Sequence, residues 1–525
     1  MPIDDETAAV TPQDPARAAG PGRNSGAGKV SVGEPAGGQA ADPAPPRPAS
    51  LSNAVLFALV AGQVCLHSSM AGLRLALPLM MLRQGGWAGW PAEAAAGVLL
   101  GLFALAPVAL ALPAGRWADR RGYHKPVATA VAMGVVGGLL GGLGAALSPL
   151  LADGGPLHLS WLAALQALLL LLAATLIGTG CNVGLITMQR TAGRLGQGEL
   201  PQDGPKDGPR DGPRVGPRDV PRDASGDGPR DHPADVPPRR TSDQTSAELK
   251  RVFSWIGLAP ALGNVGGPLL VGLLIDSIGF AWACIAMSVL PLGLAWWARR
   301  IPREFPRSEL LGITEPAVAS ASSLSGAGTQ ASVRDLLAVP GIRRLLVINW
   351  FFSASWDLHG FVVPLLGHER GMSASAIGSV LGLFAASVAT VRVVIPLLAR
   401  HVHERQVMVA AMSVVASVFV IYPLAHTAVQ MSLCAVMLGL ALGSVQPMIM
   451  TALHQLAPPH RQGEALALRA AVINLSSSVL PMGFGLVGAA LGASLLFRGM
   501  AVLLLVLGLP LVLRLRLGER SAEHA

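Results

Sequence analysis

Residues 51–82 read LSNAVLFALVAGQVCLHSSMAGLRLALPLMML, a long apolar stretch interrupted by His67 and Arg74. A bilayer core about 30 Å thick takes about 20 apolar residues of helix, so the stretch is long enough to cross it. Eleven more runs follow, at 93–115, 126–150, 158–188, 252–276, 280–298, 342–366, 373–398, 406–426, 428–452, 465–490 and 493–515. Several carry glycine and proline in their interiors, which membrane helices tolerate better than soluble ones. Over the 525 residues, 51% are hydrophobic and 13% charged, with a mean hydropathy of +0.51. A soluble domain carries about 25% charge, so an ordinary soluble enzyme and a disordered chain are both excluded.

The basic residues fix orientation rather than a nucleic-acid role. With the N-terminus inside, 34 of the 39 Arg and Lys fall on the inner side, and only Arg83, Arg370 and Arg498 fall outside. Arg74 and Arg392 lie within spans. The positive-inside rule then puts both termini in the cytoplasm. Residues 1–50 are polar and rich in Pro, Gly and Ala, which predicts a disordered cytoplasmic tail with no signal peptide ahead of the first span. Cys65, Cys181, Cys284 and Cys434 stand singly in apolar runs, and no metal-ligand spacing, HExxH, serine–histidine–aspartate grouping or P-loop occurs. The expectation is a non-enzyme without metal or cofactor, in a bacterial inner membrane, with a small-molecule substrate and no nucleic-acid partner.

Two polar stretches divide the apolar runs. Residues 199–245 repeat Asp-Gly-Pro-Arg or Asp-Gly-Pro-Lys from Asp203 onward, a turn-rich composition that predicts a disordered insertion. Residues 299–340 form a linker that separates a six-span half, 51–298, from a second, 341–515, with a short tail at 516–525. The halves resemble each other. Pro78 to Gly85 matches Pro364 to Gly371, an offset that sets Gln63 against Asn349; Pro268, Gly272 and Gly279 match Pro481, Gly485 and Gly492. Two segment pairs in agreement point to a duplication, as transporter folds are often built from repeats.

Between spans two and three stands Gly115-Arg-Trp-Ala-Asp119-Arg120-Arg-Gly122-Tyr-His-Lys125. It resembles the major facilitator superfamily signature, with Gly115, Asp119, Arg120 and Gly122 matching. The second-half counterpart has Arg400 where the aspartate would stand. Gly263, Gly267, Pro268 and Gly272 of span five are similar to the motif of that family's drug:proton antiporter branch, with Val271 replacing one glycine. The branch's arginine early in span four is missing; Gln166 is the polar residue there. The resemblance implies an all-α polytopic fold of twelve transmembrane helices in two pseudo-symmetric six-helix bundles. It further implies a monomer that moves a solute by alternating access on a proton gradient, with Asp119 latching one state. Proton-coupled efflux of a drug-like or metabolite compound is the expected activity. A symporter importing an organic acid or sugar, and a non-transporting sensor or scaffold, are the alternatives.

Ionisable groups in hydrocarbon normally face a cavity or a partner. Gln63, His67 and Arg74 share a face of span one, and Asn349 and Trp356 occupy the corresponding stripe of span seven, with Asp357 at its edge. Arg392 and Gln446 add polarity in spans eight and ten. By the repeat, Asp357 falls between His67 and Arg74 in depth, which predicts an Arg74–Asp357 ion pair between the halves. His67, whose imidazole ordinarily titrates near neutrality, is the expected proton-responsive group, and Trp356 an aromatic surface for the solute.

Overall fold

The computed structural model describes residues 53–87, 89–152, 159–196, 242–301, 333–398, 403–458 and 461–515. The expected tail 1–50, the repeat-bearing stretch up to residue 241, most of the linker (302–332), Arg400 and the C-terminal tail lie outside these residues. The described chain is helical. The helices are α1 (Asn53–Gln84), α2 (Ala92–Arg121), α3 (His124–Ala146) and α4 (Leu159–Gly196). Next, Ser242–Ala298 runs on as one helix until Gly279, where φ is 79° and the axis breaks; its two arms are α5 and α6. A positive φ costs a glycine little, which is why the reversal sits there. The second half holds α7 (Pro340–Glu369), α8 (Ala374–Leu398), α9 (Glu404–Ile421), α10 (Ala428–Leu456), α11 (Gln462–Leu491) and α12 (Ala493–Leu513).

Among the described residues nine helices are long and apolar enough to cross a membrane. Trp255–Ala298, at 44 residues, is one of the nine and is long enough for two crossings. The helix α7 is not among them, because Arg343, Arg344, Asp357 and His359 dilute its apolar run. It lies instead in the middle of the second bundle, with Phe351, Ala354, Leu358 and Val362 fully or almost fully buried. A helix enclosed by protein needs less hydrocarbon-facing surface than one bordering lipid.

The halves meet in two symmetric crossings, α2 on α11 and α5 on α8. Each is a backbone-to-backbone contact made through glycine. Gly97 of α2 lies against the Pro481 carbonyl of α11, and Gly378 of α8 lies against the Pro268 carbonyl of α5. A Cβ on Gly485 would stand 2.5 Å from Glu93 O, and one on Gly272 would stand 2.5 Å from Ala374 O. The same four repeat positions therefore build both contacts, and small residues let the helices approach this closely. The α5–α8 crossing is also tied by Asp276, whose carboxylate accepts from the amides of Ala374 (2.9 Å) and Ser375 (2.7 Å). Those amides open the first turn of α8, where no intrahelical acceptor exists.

These crossings all sit at one end of the molecule, near the α1–α2, α5–α6, α7–α8 and α11–α12 turns. Toward the other end the contact is lost. One and two turns back from Ser478, Asn474 and Ala470 on the same stripe of α11 are exposed, as are Leu105 and Val108 on α2. The two bundles converge at one end and splay at the other.

Gly97→Val and Gly378→Val should each wedge a crossing apart and cost about 1–3 kcal/mol. That would appear as a lower midpoint of thermal unfolding in detergent. Gly483→Ala, where a Cβ meets nothing within 4 Å, should change stability by no more than about 0.5 kcal/mol.

Candidate functional site

Between the bundles opens a cavity of about 90 Å³. It is lined from the first half by Ala71, Arg74, Asn264 and Pro268, and from the second by Trp356, Asp357, His359, Gly360 and Phe384. The helix α1 supplies Arg74 and α7 supplies Asp357. Arg74 Nη2 lies 3.9 Å from Asp357 Oδ1, a charge contact between the halves. Asp357 is 3% exposed at its side chain and Arg74 34%, so the carboxylate is enclosed while the guanidinium still reaches open space. A buried carboxylate is costly without donors. The Ser477 hydroxyl of α11 supplies one, 2.9 Å from Oδ2. Trp356 packs edge-on against Phe384 with ring centres 4.8 Å apart, forming an aromatic wall beside the pair.

His67 does not join this group. Its ring is turned into the first bundle, where Nδ1 is 3.3 Å from Cys181 Sγ and the side chain rests on Gly263. Gln63, one turn further along α1, is fully buried, and neither amide atom has a partner among the described residues. The shared face of α1 thus divides. Ala71 and Arg74 open onto the cavity, whereas Gln63 and His67 are enclosed by α4 and α5.

Asn349 and Gln446 meet through Arg469, which the sequence reading counted only among the inner-side basic residues and which stands two turns inside α11. Its Nε donates to Asn349 Oδ1 at 3.1 Å, and its Nη2 donates to Gln446 Oε1. Periodicity alone does not tell which neighbouring helices a side chain near the start of a span will meet. His359 was also passed over. It is buried on the cavity wall, with Nε2 3.1 Å from the Tyr422 hydroxyl and its ring 4.3 Å from Phe384. An ionisable residue two positions from Asp357 was the available signal. Arg392 of α8 is exposed and lies seven residues from the cavity-lining Ala385, on the same helical stripe.

The two sequence motifs have separate structural roles. Asp119, at the end of α2, accepts from Arg190 Nε of α4 at 2.7 Å, a pair that ties two helices of one bundle. Gly122 ends α2 with a φ of 69°, Arg120 is exposed, and Gly115 has open space where its Cβ would be. In α5, Gly263 and Gly267 give α1 its close approach, Gly267 lying against Ser68 O and Gly72 N. Pro268 and Gly272 meet α8 instead.

A double-mutant cycle on Arg74→Ala and Asp357→Ala should show the pair coupled by about 1 kcal/mol in thermal unfolding, since either single change strands a charge. Additive effects would mean the two side chains do not sense each other.

Residues 345–525 match the family model described as the Major Facilitator Superfamily. No match was found among curated proteins. Solved structures share the fold across most of their length. A bacterial homologue of the iron transporter ferroportin, in an inward-facing state, aligns with a TM-score of 0.58 at 15% identity over 88% of this chain and 99% of that one. A POT family transporter in complex with a thioalcohol conjugated peptide gives 0.55 at 12% identity, over 87% and 95%. The peptide transporter POT in complex with sulfate gives 0.53 at 17% identity, over 88% and 96%. The chain therefore has the all-α major facilitator fold, and these neighbours are transporters.

Proposed function

We propose that the chain is a secondary active transporter of the bacterial inner membrane that exports a small drug-like or metabolite compound in exchange for protons. The observation that carries this reading is the Arg74–Asp357 contact, a charge pair that joins the two bundles on the wall of the cavity between them. With both termini cytoplasmic, the splayed end of the bundles faces inward. Alternating access requires the converged end to open while the splayed end closes. A pair spanning the bundles responds to both ligands of such a cycle. A proton on Asp357 removes the charge that attracts Arg74, and a charged solute competes for either partner. Ser477 serves both protonation states, donating to the carboxylate and able to accept from the acid.

In this cycle solute enters from the cytoplasm and occupies the cavity against Trp356. Closure of the inner end and parting of the glycine crossings expose it outside, where Asp357 takes up a proton. Return to the inward state releases that proton and restores the pair. His67, enclosed beside Cys181 and Gly263, is a second group whose charge would change the packing of α1 on α5. Asp119, paired with Arg190, holds the inner ends of α2 and α4 as one unit during the rocking motion.

Inside-out vesicles from an expressing strain, acidified and challenged with a panel of drug-like compounds, should show compound-dependent proton release from the lumen. Whole cells should accumulate the same compounds less than a deletion strain does, and a protonophore should erase the difference. Asp357→Asn should abolish the proton flux, and His67→Gln should alter its pH dependence. Unchanged pH-dependent flux in both variants would remove the coupling assignment, and uptake of the compound into whole cells together with protons would reverse the direction.

A further inference from the structure

Within the spans the charges do not balance. Arg74, Arg392 and Arg469 face one mid-span carboxylate, Asp357, and Arg74 already engages it. Among the described residues neither Arg392 nor Arg469 has an ion-pair partner. Arg469 has been given amide oxygens instead, from Asn349 on α7 and Gln446 on α10. Amide oxygens orient a guanidinium but leave its charge intact, and a partly buried charge without a counter-ion is expensive. Three helices thus hold a cation in place without neutralising it.

The centre lies on the continuation of the cavity-lining stripes. Asn349 precedes Trp356 by seven residues and Gly360 by eleven, so it continues the cavity stripe of α7 toward the splayed end. Arg392 continues the cavity stripe of α8 in the same direction, seven residues beyond Ala385 and eleven beyond Leu381. At 1.5 Å per residue, Asn349 lies about 12 Å from Asp357 along α7. The first bundle has no equivalent, because the repeat places Ile256 of α5 where α11 has Arg469 and Gln63 where α7 has Asn349. The asymmetry fits a recognition device rather than a requirement of the fold.

We infer that Arg469, oriented by Asn349 and Gln446, is the receptor for an anionic group on the transported compound, with Arg392 drawing anions to the mouth. The substrate class is then a small organic anion, a carboxylate or its equivalent, whose remaining body extends toward Trp356. A guanidinium whose fork is partly held by amides keeps donors free for an oxyanion, and such charge-assisted bonds outweigh neutral ones. This rests on the transport reading for its purpose but not for its test, since binding is measured at equilibrium without flux.

The test uses the full chain in nanodiscs of phosphatidylcholine, with binding measured by isothermal titration calorimetry. The probes are 2-naphthoate, 2-naphthamide and 2-naphthylmethylamine, alike in shape and different in charge. Naphthoate should bind at least tenfold more tightly than the amide or the amine. Arg469→Gln should remove that preference, and Arg469→Lys should retain part of it. Asn349→Asp is the decisive companion, since it keeps shape and folding but supplies an internal carboxylate to Arg469; it too should abolish the preference for naphthoate. Adding phosphatidylglycerol separates the two sources of anion, because competition from the lipid would assign the site to a headgroup and overturn a soluble substrate. Equal binding of the three probes, no binding of naphthoate, or a preference that survives both Arg469→Gln and Asn349→Asp would also overturn the proposal. Anion binding without proton-linked flux would retain this site and discard the transport cycle.

Discussion

A charge inside hydrocarbon has to be compensated, and in this chain that constraint organises everything between the two bundles. One carboxylate, Asp357, is enclosed almost completely, and its needs are met from two directions, by Arg74 across the interface and by Ser477 within its own bundle. Because one partner belongs to each half, satisfying the charge also positions the halves. The cavity exists beside the pair because Trp356, Phe384 and His359 of the second bundle form one wall, and Ala71, Asn264 and Pro268 of the first form the other.

Glycine supplies the complementary constraint. The crossings of α2 on α11 and α5 on α8 use Gly97, Gly485, Gly272 and Gly378 at equivalent repeat positions, each against a carbonyl of the facing helix. Such contacts are made of backbone, so they cannot relax by side-chain rearrangement. They hold one end closed as a unit or release as a unit, which is the behaviour a rocking fold requires. Asp276 adds a directional tie by capping the first turn of α8 from α5. At the opposite end no comparable crossing joins α2 to α11 among the described residues, and the stripe that carries Ser478 becomes exposed by Asn474.

Much of this could be read from the chain. The apolar runs located the helices, because the hydrophobic thickness of a bilayer sets their length whatever they pack against. The α5 and α11 motifs located the crossings, although their role was described only as close packing. The level of Asp357 relative to Arg74 followed from the repeat offset, since duplicated helices keep their depth. Less legible was the division of the α1 face. Periodicity places His67 and Arg74 on one side of a helix, but it does not tell which neighbour covers each turn, and α5 covers the turn at His67 through Gly263. Similarly, α7 is too polar to stand out by hydropathy, because its surroundings are protein rather than lipid.

What the sequence determined by itself is the set of helices and their pairing by repeat, since these depend on segment length and internal similarity. Tertiary structure alone decided which polar groups share a site. Arg469 met Asn349 and Gln446 because α11 turns it toward α7 and α10, while Arg190 became the partner of Asp119 across 71 residues of chain. Such pairings are settled by which helix faces pack together, and packing is a property of the whole molecule that no single segment encodes.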